Sequence, residues 1–190
     1  VSFSGELAFE VNLPSNQALS MWHKLMAAGE EFDITPYGTE TMHVLRAEKG
    51  FVIVGQDTDG SVTPVDLRMS WLLSKDKDFL GKRSLQRPDC LRADRKQLVG
   101  LLSIDGETVI PEGTQLVDDP DLPIPVPMCG HVTSSYYSAC LGHPIALALV
   151  SGGHDRNGQS VTAAFSDGRR VAAKIVSPVF YDRKAERQND

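Results

Sequence analysis

Two stretches near the amino end of the chain carry apolar side chains with different periods. Residues 7–13, LAFEVNL, alternate apolar and polar side chains, which predicts a half-buried β-strand that ends at Pro14. Residues 16–28 then place an apolar side chain at helical spacing, at Leu19, Trp22, Leu25 and Met26. The pattern therefore predicts a strand followed by an amphipathic helix.

A second helix and a long loop are predicted next. Residues 39–49 place Met42 and Leu45 on one helical face, and Gly50 stands just past the predicted end. Residues 51–66, FVIVGQDTDGSVTPVD, lose this periodicity and contain two glycines and a proline, which predicts a strand entering a long ordered loop. A long loop inside a compact domain is often functional, so this loop is a candidate site element.

The pattern changes near residues 88–96, a stretch rich in Pro, Asp and Arg. Beyond it, short apolar segments recur between turn signals, and strands are predicted at residues 98–104, 114–117, 130–137, 144–150, 160–165 and 171–176. Six short strands are typical of a small barrel or sandwich. We therefore expect an α+β fold in which residues 1–90 form an α+β part and residues 91–190 a small all-β barrel domain.

The composition narrows the class of partner. With 25 acidic and 19 basic side chains the formal net charge is −6, so the field of the protein repels phosphate backbones and disfavours a nucleic-acid partner. Hydrophobic residues make up 41% of the chain and charged residues 23%, which is ordinary globular usage. No apolar run approaches the roughly 20 residues that span a bilayer, so no membrane partner is expected.

The cysteines indicate a reduced, cytoplasmic protein. Cys90, Cys129 and Cys140 are odd in number and widely spaced. They form no CxxC pair, and no two histidines stand at metal-ligand spacing, so no metal site is predicted. Because the chain begins with Val1 rather than methionine, we expect a fragment of a longer protein.

Five segments, in order along the chain, resemble motifs of the aminomethyltransferase (glycine cleavage T-protein) family. The first resembles S-x-T-G-E-x-G-x-E with a following hydrophobic residue, although Ser4 and Ala8 replace the usual threonine and glycine. The five segments are SFSGELAFEV (2–11), LRAEKGFVIVGQD (45–57), DFLGKRSL (78–85), GHVTSSYYSACLGHPIALALV (130–150) and PVFYD (178–182). Together they span nearly the whole chain. The resemblance implies that residues 1–90 are the carboxyl-terminal part of the family's folate-binding domain and that the barrel follows it.

The resemblance also implies a folate site. Glu6 matches the family's glutamate that holds the pterin ring of tetrahydrofolate, and a carboxylate suits this task because its two oxygens accept from a paired N–H edge. Arg46 matches an arginine at the folate site of relatives, and Tyr181 lies in the closing segment that approaches folate. From the residues alone, Glu6 is an exposed strand-edge carboxylate and Arg46 a helix-surface arginine that pairs with Glu40 or Glu48.

The implied reaction transfers a one-carbon unit at the formaldehyde level to tetrahydrofolate and yields 5,10-methylenetetrahydrofolate. In relatives the assisting aspartate precedes the first motif, so no catalytic residue is expected here, and residues 1–190 alone are not expected to turn over. The stretch from residue 37 to 85 resembles the version of the family fused into the alpha subunit of multi-subunit sarcosine oxidases. That version implies other oxidase subunits as partners, with FAD, FMN and NAD bound elsewhere in the complex.

Other functions fit the same residues. One is the glycine-cleavage aminomethyltransferase, which takes its carbon from a different donor. Another is a non-catalytic folate-binding or assembly module, and a third is an interface element whose β domain docks on a flavin-bearing subunit. The glycines Gly50 and Gly55 do not form a dinucleotide-binding fingerprint, because they lack the strand-to-helix GxGxxG layout.

Overall fold

The computed structural model describes residues 2–189 of the protein. Their amino-terminal half contains two α-helices, α1 (Ala18–Gly29) and α2 (Thr39–Glu48). Short 3₁₀ helices lie at Ser15–Gln17, Glu30–Phe32, Ser70–Leu72, Lys82–Gln86, Pro88–Leu91, Gly153–Asp155 and Glu186–Gln188. The strands are β1 (Lys96–Ser103), β2 (Gln115–Val117), β3 (Met128–Ser138), β4 (His143–Ser151), β5 (Ser160–Ala164) and β6 (Arg170–Val176).

The strands close into an antiparallel barrel in the order β1-β4-β3-β2-β5-β6. Closure comes from β1, which pairs with β4 along one edge and with β6 along the other, with Gly100 opposite both Leu147 and Val176. A barrel leaves no open strand edge, so its backbone groups are paired internally. All six predicted strands are confirmed, each within a few residues of its predicted bounds.

Strands β1 and β4 are buried on both faces. Val99 of β1 and Ala148 of β4 belong to the core inside the barrel. Their sequence neighbours Leu98 and Leu147 belong to a second core outside it, against Ala47 of α2. Since successive side chains of a strand point to opposite faces, a strand with two buried faces is continuously apolar. The run PIALALV of β4 has this form because the amino-terminal half packs on its outer side.

Both predicted helices are confirmed, but the predicted burial of α1 is not. No residue of α1 is buried, and Leu19 and Trp22 are 68% and 50% exposed. In α2 the buried residues are instead those of the last turn, Arg46, Ala47 and Glu48. Across residues 2–189 the structure contains no helix with both the length and the apolarity needed to cross a lipid bilayer.

Two strand predictions in the amino-terminal half are wrong. Residues 7–13 lie outside any sheet, and within residues 2–189 their one backbone hydrogen bond runs from Leu7 N to the Arg187 carbonyl, 2.9 Å. Alternation of apolar and polar side chains is compatible with a strand, but a strand also needs a neighbouring strand whose backbone pairs with its amides and carbonyls. Residues 51–54 form only an isolated bridge between Val54 and Thr58, because Ile53 N donates to the Asp57 carboxylate instead of to a sheet.

Candidate functional site

The last turn of α2 joins four separate segments of the chain. Arg46, Glu48 and Lys49 are polar yet at most 5% exposed. Burying a charged group costs several kcal/mol unless it is paired and hydrogen-bonded, so each of these side chains needs a partner. The hydrogen-bonding partners lie in the loop after α2, on β3 and in the closing segment 178–182, and the Lys49 stem packs against Gly5 of the first motif.

Both terminal nitrogens of Arg46 donate to protein groups, whereas its buried Nε has no hydrogen-bond partner within the described residues. Its Nη1 donates to Asp57 Oδ2 at 2.5 Å and to the Phe51 carbonyl at 3.0 Å, and its Nη2 donates to Ser134 Oγ at 2.6 Å and Tyr136 Oη at 3.2 Å. At 1% exposure none of its guanidinium reaches the surface. The interpretation of Arg46 as a helix-surface arginine is therefore wrong. The reason is that the planar fork can reach the loop and β3 at once.

Asp57 accepts hydrogen bonds from four donors and is fully buried. Oδ2 accepts from Arg46 Nη1 and, at 2.8 Å, from Ile53 N, while Oδ1 accepts from Thr133 Oγ1 and Ser134 Oγ, each at 2.6 Å. A carboxylate has about four lone-pair sites, and all of them are used here. Asp57 thus fastens the loop after α2 to both the helix and the barrel.

Glu48 connects α2 to β3 and to the closing segment. Ser138 Oγ donates to Glu48 Oε1 at 2.5 Å, and the Glu48 carbonyl accepts from Phe180 N at 2.8 Å and Tyr181 N at 3.0 Å. Gly50, with φ of +68°, lies so close to the same segment that an added Cβ would be 2.6 Å from the Pro178 carbonyl oxygen. Only glycine combines this left-handed backbone with this contact.

Lys49 holds the closing segment from the other side. Its Nζ donates to the Asp182 carbonyl at 2.7 Å and to Asp182 Oδ2 at 2.8 Å, with both side chains at most 9% exposed. Its methylenes pass against Gly5, where a Cβ would lie 2.1 Å from Lys49 Cγ. The hydrogen bond from Lys49 is the largest cause that lowers the pKa of Asp182 below its usual value. The pair places the first motif beside the closing segment.

Glu6 and Tyr181 meet at the surface through Arg187. Arg187 Nη1 lies 3.5 Å from Glu6 Oε1, and its guanidinium carbon lies 5.5 Å from the centre of the Tyr181 ring. Glu6 and Arg187 are about half exposed, with side-chain exposures of 48% and 53%. This surface is referred to below as the Glu6 cluster: Glu6, Tyr181 and Arg187. It is the accessible face of the arrangement built on the end of α2.

The structure thus separates the three residues for which the resemblance implies folate contact. Glu6 and Tyr181 lie together in the Glu6 cluster, whereas Arg46 lies beneath the surface among protein groups. Lys49 and Asp182, which hold the cluster from below, were missed by sequence reasoning. One signal was present, because a lysine next to a helix-ending glycine is placed to interact with the negative end of the helix.

A third buried ion pair, Arg95–Asp66, joins the loop to the barrel away from the Glu6 cluster. Arg95 donates from Nη2 to Asp66 Oδ2 at 2.7 Å and from Nε to Oδ1 at 3.0 Å, with side chains 10% and 2% exposed. Burial alone would raise the pKa of Asp66, but hydrogen bonds from Arg95 and Thr63 outweigh it and lower that pKa. The Arg95–Asp66 pair is about as buried as Lys49–Asp182, so a substitution of Arg95 can serve as a control for a substitution of Lys49.

The Glu6 cluster fits a ligand with a neutral paired donor edge and a flat ring. Glu6 Oε1 faces Arg187, and within the described residues Oε2 has no partner. A half-exposed carboxylate can accept from two N–H groups, and an adjacent aromatic ring offers a stacking face.

Two protein-family models match the chain. One, the GCVT N-terminal domain, matches residues 1–77, and the other, the glycine cleavage T-protein C-terminal barrel domain, matches residues 96–182. The fold of the crystal structure of glycine cleavage system aminomethyltransferase T from Bartonella henselae superposes on 96% of this chain and 48% of that chain, with a TM-score of 0.75 at 23% identity. Fold and site thus define a glycine cleavage T-protein type of architecture.

The chain belongs to the aminomethyltransferase (glycine cleavage T-protein) family. It is 50% identical, over its whole length, to the sarcosine oxidase subunit alpha of Corynebacterium sp. (strain P-1) and 39% identical over 98% of its length to that of Rhizobium meliloti (strain 1021). It is 31% identical over 98% of its length to the aminomethyltransferase of Thermotoga petrophila. The chain spans about a fifth of the length of the oxidase subunits and about half of the aminomethyltransferase.

Proposed function

We propose that this chain is the folate-holding part of a sarcosine oxidase alpha subunit. In that role it would help to transfer the one-carbon unit of sarcosine to tetrahydrofolate, giving 5,10-methylenetetrahydrofolate. Identity of 50% to an oxidase subunit, against 31% to an aminomethyltransferase, supports the oxidase over the glycine-cleavage enzyme. Other oxidase subunits would be its partners, and FAD, FMN and NAD would bind outside these residues.

The observation that carries this proposal is the convergence of the family motifs on one place. Four of the five family segments, residues 2–11, 45–57, 130–150 and 178–182, are separated in sequence yet meet at the end of α2. Packing alone does not require an exposed carboxylate above that junction. A ligand-binding role for Glu6 accounts for both the convergence and the exposure.

Tetrahydrofolate supplies two nucleophilic nitrogens, N5 and N10, which take up a carbon at the formaldehyde level. The chain's contribution is to bind and orient the ring, since correct orientation supplies much of the rate of such a transfer. Glu6 would accept from the donor edge of the pterin, and Tyr181 would cover one side of the ring. Arg46 would act from beneath by fixing α2 and its loop to the barrel, because both of its terminal nitrogens donate to protein groups.

We place the assisting acid–base carboxylate outside residues 1–190. Three carboxylates near the end of α2 are committed to internal partners: Asp57 to Arg46, Glu48 to Ser138 and Asp182 to Lys49. Glu6 would be occupied by the ring. Efficient methylene transfer by residues 1–190 alone would contradict this assignment.

A cytoplasmic location is proposed as well. Cys90, Cys129 and Cys140 are all free thiols, and Cys129 is buried in the barrel core. Free and unpaired cysteines are the rule in reducing compartments.

The test is to follow sarcosine oxidation by the intact protein complex with and without tetrahydrofolate. The proposal expects free formaldehyde to be the product without tetrahydrofolate and 5,10-methylenetetrahydrofolate to replace it when tetrahydrofolate is present. Equal release of formaldehyde in both cases would show that the carbon does not pass through a folate site. Transfer from an aminomethylated carrier protein, without sarcosine oxidation, would favour the glycine-cleavage enzyme instead.

A further inference from the structure

We propose that Arg187 is a positioning residue for the Glu6 carboxylate, and that the buried Lys49–Asp182 pair holds Arg187 in place. The inference rests on the proposed folate-binding role of Glu6 and extends it to Lys49, Asp182 and Arg187, of which only Arg187 lies outside the five motif segments. It is drawn from a continuous series of contacts that leads from the buried end of α2 to the exposed carboxylate.

The series begins at Lys49. Its Nζ reaches both the carbonyl and the carboxylate of Asp182, at 2.7 and 2.8 Å. Asp182 has a left-handed backbone, φ 45°, which is uncommon outside glycine although aspartate adopts it more readily than most residues. The two hydrogen bonds from Lys49 Nζ, one of which is also the ion pair with the carboxylate, restrain this backbone.

Asp182 in turn organises the turn that carries Arg187. Its Oδ1 accepts from Glu186 N at 3.0 Å, and its Oδ2 accepts from Arg187 N at 3.3 Å. One carboxylate therefore binds the buried lysine on one side and the backbone of residues 186–187 on the other. Loss of the lysine would free the carboxylate and, with it, the turn.

Arg187 then contacts the first motif in two ways. Its carbonyl accepts from Leu7 N at 2.9 Å, and its guanidinium lies 3.5 Å from Glu6 Oε1 and against the Tyr181 ring. The contact engages only one oxygen of Glu6. The arginine thus restrains the rotation of the carboxylate but uses only one of its roughly four lone-pair sites, so both oxygens can still accept from a paired donor edge.

The inference is testable because a different role for Arg187, as a competitor of the ligand for Glu6, predicts the opposite change in ligand affinity. If Arg187 occupied the place of the ligand, its removal would strengthen binding. If it positions Glu6, its removal weakens binding, and the effect disappears once Glu6 can no longer act. Exposed ion pairs contribute little, so the expected loss of affinity is about two- to fivefold.

The experiment measures the affinity of the intact protein for tetrahydrofolate by calorimetry under reducing conditions. The variants are Arg187→Gln, Glu6→Gln, their combination, and Lys49→Met, which keeps the length of the stem and removes the charge. Arg95→Met, which breaks the buried Arg95–Asp66 pair away from the Glu6 cluster, is the matched control. We expect Arg187→Gln and Lys49→Met to weaken binding, Arg95→Met to leave it unchanged, and Arg187→Gln to have no further effect in the Glu6→Gln protein.

The outcomes separate the inference from the proposed function. Failure of the wild-type protein to bind tetrahydrofolate would contradict the proposed function itself. Wild-type binding with no change, or with tighter binding, in Arg187→Gln would overturn only the inference. Equal losses in Lys49→Met and Arg95→Met would show a general effect of a broken ion pair and would overturn the role of Lys49. Since Arg187 is half exposed, its variant tests the inference without loss of a buried group.

Discussion

Asp57→Asn is the substitution that bears most directly on the junction at the end of α2. The change keeps the size of the side chain and removes its charge. The amide nitrogen can take the Oδ1 side, because the hydroxyls of Thr133 and Ser134 can rotate to accept from it. The amide oxygen then stays toward Arg46 and Ile53 N. The geometry survives, but Arg46 loses its counter-charge.

The cost follows from the burial of both partners. Arg46 and Asp57 are 1% and 0% exposed, so water cannot replace the lost charge. Removal of one member of a buried ion pair typically costs about 3–5 kcal/mol, because the other charge remains buried and unpaired. For a protein of this size, that loss lowers the melting temperature by roughly 6–20 °C.

Urea denaturation followed by circular dichroism gives the free energy of unfolding of wild type and variant. Asp76→Asn, the same chemical change at an exposed position of the loop region, is the control and should alter stability by no more than about 0.5 kcal/mol. A loss below about 1 kcal/mol in Asp57→Asn would refute the view that this pair fastens the loop and the barrel together.

Two further predictions concern the closing segment. Gly50→Ala should destabilise the protein by about 2–3 kcal/mol, since it strains a left-handed backbone and places a Cβ 2.6 Å from the Pro178 carbonyl oxygen. The control is Gly106→Ala, which is also left-handed but has open space around it and should cost only about 1 kcal/mol. Equal losses of unfolding free energy for the two variants in urea denaturation would refute the contact with Pro178. Because Lys49 lowers the pKa of Asp182, their pairing stabilises the fold above the unfolded-state pKa of about 3.9, and the contribution is lost as the pH falls through the lower folded-state value. The stability difference between wild type and Lys49→Met should therefore shrink below about pH 4, and a constant difference across a pH series would contradict the pairing.

The barrel is predictable from the sequence because each strand carries its own local signals. Short apolar segments alternate with turn dipeptides such as Asn157-Gly158, and in a closed barrel every such segment finds a partner. Residues 7–13 carry a similar pattern and form no strand. Whether residues 7–13 form a strand depends on whether another strand lies beside them to pair with, and the alternation along the chain does not encode this.

The candidate site is only partly predictable, for a related reason. Glu6 and Tyr181 can be proposed from motif positions, but the network beneath them depends on contacts between residues more than 80 positions apart, such as Arg46 with Ser134. Helical periodicity also gives a misleading view of α2. It assigns the apolar face to the interior, whereas the last turn buries Arg46, Glu48 and Lys49, each with its own partner.

The most direct test of the account is the affinity of the intact protein for tetrahydrofolate in wild type and in Glu6→Gln. A hydrogen bond to a charged group contributes about 1.5–3 kcal/mol, so the account predicts saturable wild-type binding that weakens roughly 10- to 100-fold in the variant. Glu31→Gln, the same change at an exposed position of the 3₁₀ helix Glu30–Phe32, should bind like wild type. Wild-type affinity in Glu6→Gln, or no binding by the wild-type protein, would contradict the claim that this surface holds the folate.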